Sequence, residues 1–90
     1  MRVALICQDK PGALQVRLDN RAAHLAHIQA SGVVEMAGPF LDAGGQMTGS
    51  LIVLDVESLQ AAQDWAAADP YATAGLFQSV TLTEWKKVIG

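Results

Sequence analysis

His24 follows Arg17 and Arg21 at i-7 and i-3, so a helix would carry all three on one stripe. A histidine desolvated on such a stripe, beside a carboxylate, gains a pKa suited to proton transfer near neutrality. The plainer reading is a boundary histidine bonded to backbone or water. The carboxylate in question is Asp69, in the stretch Ala68-Asp69-Pro70-Tyr71. Asp is a favoured N-cap and Pro a favoured first helical residue, so this stretch is first of all a helix stop followed by a short helical turn through Ala74. A capping carboxylate keeps its second oxygen free. If the fold brings Asp69 to the first helix, that oxygen accepts a hydrogen bond from the His24 ring, fixes its tautomer and raises its basicity. The functional reading rests on this single contact between distant segments.

Other reactive side chains fit structural roles better. His24-x-x-His27 puts two histidines one helical turn apart, but zinc patterns need further His or Cys at defined spacing, or the glutamate of H-E-x-x-H, so no metal is expected. Ser50, beside Gly49, can offer a hydroxyl to a ligand; without a G-x-S-x-G elbow it is not a nucleophile. Cys7 lies in an apolar run without a basic neighbour, the setting of an inert thiol. Gly44-Gly45 serves a hairpin, and Trp65 and Trp85 read as core or interface anchors. No cofactor motif is present, so no cofactor is expected.

The elements that must position these residues follow from periodicity. Arg2 to Gln8 reads as a strand closed by the turn Asp9-Lys10-Pro11-Gly12. Leu14, Leu18, Leu25 and Ile28 recur with helical spacing over Ala13 to Ala30 and define a core seam, beside which His24 is expected to be half-buried. Ser31-Gly32 ends this helix. Val33 to Leu41 is a second strand, which Pro39 confines to an edge or bulge. The turn 42–46 leads into a third strand, Met47 to Val56, forming a hairpin with the second. Ser58 caps a helix from Leu59 to Ala68, whose Leu59, Ala62, Trp65 and Ala66 share a face, and Leu76 to Trp85 is a fourth strand with Val80 and Leu82 alternating with Ser and Thr. Lys86 to Gly90 is a tail.

The order β-α-β-β-α-β is the ferredoxin-like plan, an α+β sandwich of one domain over 1–90. It predicts an antiparallel-type sheet with both helices on one face, the second and fourth strands at the edges, and the first and third as central neighbours that right-handed crossovers would make parallel. The central strands do not alternate apolar with polar residues. Val3, Leu5 and Cys7 oppose Ala4 and Ile6, and Leu51 and Val53 oppose Ile52, Leu54 and Val56. Both faces are therefore built for burial, and a second copy of the sheet is the economical cover for the face without helices.

Composition supports that expectation. A 90-residue domain buries only about 60–65% of its unfolded surface, yet this chain is 51% hydrophobic and 17% charged, more apolar than a lone domain of its size requires. The net charge is -3 with six scattered Lys and Arg, which excludes a nucleic-acid footprint and a polybasic membrane patch. A single cysteine fits a reducing cytoplasm. The run Val3 to Cys7 is too short for a signal-peptide core, and nothing approaches the ~20 apolar residues of a membrane span.

Arg21-x-x-His24-Leu25, Gly38-Pro39, Gly49-Ser50 and Ala68-Asp69-Pro70-Tyr71, in this order, resemble the YCII-related (YciI-like) family over essentially the whole chain. The resemblance implies a dimeric α/β barrel of the kind shared with muconolactone isomerase. It also implies a His-Asp catalytic site at His24 and Asp69, with Ser50 and the Gly38-Pro39 turn near a pocket for a small molecule. In such a site Arg21 would help hold an anionic group of the substrate; its plainer reading is a solvated helix-surface arginine, and Tyr71 would turn its hydroxyl toward the pocket. Tyr71 departs from the phenylalanine common at that place. Chemistry on similar scaffolds includes isomerisation and dehydrochlorination of small ring compounds, so the expected function is an isomerase or lyase acting on a small polar or cyclic substrate. The alternative is a non-catalytic ligand-binding or structural dimeric domain. Oxygenase-like chemistry, with or without haem, is a third reading, and no motif places either histidine as an iron ligand.

Overall fold

The computed structural model describes residues 1–90. Its elements are β1 (Arg2–Asp9), α1 (Leu14–Ser31), β2 (Val34–Leu41), β3 (Met47–Asp55), α2 (Leu59–Ala68), α3 (Pro70–Thr73) and β4 (Phe77–Trp85). The ends are where local chemistry puts them. α1 stops at Gly32, whose φ of 67° is the left-handed conformation that glycine adopts without strain. Ser58 Oγ accepts the Ala61 N–H to start α2, and Asp69 closes α2 and caps α3. Asp42 Oδ1 accepts the N–H groups of Gly44 and Gln46 and so stitches the hairpin turn.

The four strands form one sheet in the order β2-β3-β1-β4, and every neighbouring pair is antiparallel. The edge place of β2 agrees with Pro39, and the ladder there shifts register between Phe40 and Leu41. The direction of the central pair differs from the expectation: β1 and β3 run antiparallel. In a split β-α-β unit the strands joined by the helix are parallel but stand apart. The hairpin return, β3, fills the gap between β1 and β2 and runs opposite to both.

The core lies between sheet and helices: Val3, Leu5 and Cys7 of β1 and Ile52 and Leu54 of β3 meet Ala62 and Trp65 of α2. Leu59, assigned to the same helix face, is exposed instead. On the other face, which no helix covers, Ala4 stands opposite Val53 and Ile6 opposite Leu51, with Met36 and Phe40 beside them on the edge strand. Both faces of the central pair are thus apolar, as the lack of alternation predicts.

α1 differs most from its sequence reading. Leu18 and Leu25, the expected seam, are 47% and 44% exposed, whereas Arg17 and His24 are 3% and 6% exposed. The helix is turned by about one residue, some 100°, from the orientation its leucines predict, and His24 is buried rather than half-buried. Polar partners beneath α1 account for this: a buried cation or imidazole is tolerated only where hydrogen-bond acceptors meet it. Ile28 still packs on the core. No helix is long and apolar enough to cross a membrane.

Candidate functional site

The junction between α2 and α3 places Asp69. Asp69 is the N-cap of α3, and its carboxylate takes the usual partner of a cap, the N–H of the second helical residue, Tyr71, which donates to Oδ1 at 3.0 Å. The same oxygen lies 2.8 Å from His24 Nδ1, so one carboxylate oxygen does both tasks, where the sequence reading assigned the histidine to the second. An ionised carboxylate only accepts, so against ionised Asp69 the ring proton belongs on Nδ1, and in the neutral ring Nε2 then presents its lone pair. Nε2 makes no hydrogen bond within the chain, and the ring lines a cavity of about 170 Å³. The imidazole stacks on the Tyr71 ring, centroids 3.9 Å apart and planes 14° from parallel. Position, tautomer and tilt of the ring are thereby all fixed.

A second buried pair flanks the first. Arg17 Nε and Nη2 donate to the two oxygens of Asp9 at 2.8 and 2.9 Å, and Nη2 also donates to Ser50 Oγ at 2.9 Å. Its guanidinium carbon lies over the Tyr71 ring, 4.8 Å from the centroid, in cation–π range. Burial opposes the Arg17 charge, but the forked bond to Asp9 and its charge outweigh it and hold the guanidinium above its ordinary pKa. Burial also raises the Tyr71 phenol, against the pull of the Arg17 charge.

The structure therefore brings together every residue that the sequence nominated. His24, Ser50 and Tyr71 line the cavity from α1, β3 and α3; Gly38 and Pro39 of β2 form the facing wall, and Arg21 stands exposed at the rim. Asp69 is buried behind His24. Leu25, Ile28, Ala37, Met47 and Ile52 supply apolar lining. Sequence reasoning left Arg17 without a partner and treated Asp9 as part of a turn. The available signal was a carboxylate ending an apolar strand, followed by an arginine on the histidine's own stripe. His27 does not join the site: its Nε2 is bonded to the Trp65 carbonyl at 3.2 Å. Cys7 is in the core, its thiol pushed up to about 12 by burial.

The model of the YCII-related domain matches residues 1–86. The chain belongs to this family. The YciI proteins of Escherichia coli and Shigella flexneri are each 41% identical to it, with 98% of this chain and 99% of theirs covered. Among solved structures, the family chain is similar to 5-chloro-2-hydroxyhydroquinone dehydrochlorinase (TftG) of Burkholderia phenoliruptrix, in complex with 2,5-dihydroxybenzoquinone: 37% identity, TM-score 0.89, 96% of this chain and 94% of that one covered. An antibiotic biosynthesis monooxygenase is 12% identical with a TM-score of 0.56, covering 96% of this chain and 98% of that one, which is a likeness of fold alone.

Proposed function

We propose that the cavity is an active site in which His24, oriented by Asp69, moves a proton during isomerisation of, or elimination from, a small cyclic substrate. The observation that carries this reading is the His24 Nδ1 to Asp69 Oδ1 contact of 2.8 Å, which leaves Nε2 free at the cavity. The volume, about 170 Å³, suits one ring, since a cavity of about 150 Å³ accommodates benzene. Likeness to a dehydrochlorinase over nearly the whole chain supports the elimination branch. There, on a keto tautomer of the ring whose chlorine-bearing carbon is tetrahedral, Nε2 takes a hydroxyl proton, the O–H electron pair forms a C=O as the adjacent ring double bond shifts toward that carbon, and chloride departs with its bonding pair. In isomerisation the proton returns at another atom. Asp69 stabilises the imidazolium in both cases.

Arg21 is assigned to an anionic group of the substrate, and Tyr71, Ser50, Gly38 and Pro39 to its binding. Chloride release from 5-chloro-2-hydroxyhydroquinone tests the elimination branch. The chain should release chloride, and His24→Ala should slow it by about 100-fold or more; unchanged release by the variant would sink the His24 assignment.

One observation favours a second reading. Asp69 Oδ1 already serves as the α3 cap, so the pair can be a clasp between α1 and α3 in a ligand-binding or structural domain. His24→Ala would then lower the unfolding temperature, and no turnover would be found. We further assign the open sheet face, with Ile6, Leu51, Met36 and Phe40, to a homodimer contact, supported by the apolar character of both faces of the central strands.

A further inference from the structure

Ser50 is 3% exposed and lines the cavity, and the single hydrogen bond of its hydroxyl within the chain is one that it accepts, from Arg17 Nη2 at 2.9 Å. A serine hydroxyl has one hydrogen to give as well as lone pairs to receive. That hydrogen has no acceptor in the protein. Burying an uncommitted donor is costly, and a donor polarised by a cation is a stronger one. Both oxygens of Asp9 are taken by Arg17, and Asp69 makes its hydrogen bonds to His24 and the Tyr71 N–H, none of them to Ser50. Arg17 is locked by Asp9, so its position and that of the hydroxyl are set before any ligand arrives. Arg21 adds a second cation at the rim.

From this we infer that Ser50, positioned and polarised by Arg17, is the receptor for a ligand oxyanion, and that the cavity selects small monocyclic phenolates or enolates over their neutral forms. The inference rests on the proposed use of the cavity by a ring compound and deepens it. It puts a donor at Ser50 and an acceptor at His24 Nε2, so that charge developing on a substrate oxygen as His24 removes a proton would be met by Ser50 and Arg17.

The probe is 4-nitrophenol, which ionises near neutrality with a change in visible absorbance. Its affinity is measured below and above that ionisation, in a His24→Gln background so that titration of the imidazole does not contribute. The expected result is phenolate binding at least tenfold tighter than phenol, with Ser50→Ala weakening the phenolate by roughly 10–100-fold and leaving the phenol within about twofold. Ser50→Ala keeps the Arg17–Asp9 pair, and circular dichroism of each variant verifies the fold. Equal affinity for both forms, binding of neither, or an unchanged phenolate preference in Ser50→Ala overturns the inference. Turnover retained in His24→Gln would instead remove the acid-base reading and leave the oxyanion receptor standing.

Discussion

At the scale of single residues, the two histidines show how neighbours decide roles. His24 and His27 sit one turn apart on α1, yet His24 is held by Asp69 and faces a cavity, whereas His27 is bonded to a backbone carbonyl of α2. The capping chemistry of Asp69-Pro70 was legible in the sequence, and so was the candidate partnership with His24. Which carboxylate oxygen would serve was not, because that depends on the angle at which α1 crosses the α2–α3 junction. Cys7 gives a prediction with a definite sign. Its thiol stays neutral in the fold up to about 12 against an ordinary 9.0, so the unfolded chain releases this proton first. The stability that Cys7 contributes is complete below pH 9 and is lost as pH rises toward 12. Denaturant unfolding across that range should show wild type losing more stability than Cys7→Ala; parallel losses would contradict the burial argument.

At the scale of elements, α1 and the β1–β3 pair carry the lessons. Helical spacing of Leu14, Leu18, Leu25 and Ile28 established that α1 exists and nearly where it ends. It misplaced the buried face because periodicity records apolarity, while the seat of this helix is lined with Asp9, Ser50 and Asp69. Asp9→Asn should leave the Arg17 charge half-compensated in a buried place and cost about 3–5 kcal/mol in denaturant unfolding; a loss below about 1 kcal/mol would show that the pair is not structural. Gly49-Ser50, a weak motif by sequence, has a steric reason. A β-carbon at Gly49 would overlap the Cys7 carbonyl oxygen and stand 3.3 Å from the Phe40 ring. Gly49→Ala is expected to destabilise by about 1–3 kcal/mol, read from the denaturation midpoint. The antiparallel direction of β1 and β3 is a property of the hairpin insertion and is not written in either strand's composition.

At the scale of the whole molecule, the β-α-β-β-α-β order followed from local patterns, since each strand and helix has a clear period and punctuated ends. Pairings between separate segments, such as Asp9 with Arg17, have no periodic signature. The excess of apolar residues also belongs to this scale. If the open face joins two copies, sedimentation should give a dimer at micromolar concentration. Leu51→Asp, which places a charge opposite Ile6, should give a folded monomer. A wild type that sediments as a monomer would remove the assignment. The cavity draws its walls from α1, β2, β3 and α3, and Arg17 ties it to the end of β1. An occupant therefore touches segments from most of the chain's length at once. It acts as a keystone: by mass action it favours the folded state as a whole, by about 2.7 kcal/mol at a hundredfold excess over its dissociation constant. The right small molecule would thus announce itself by raising the melting temperature, before its reaction is known.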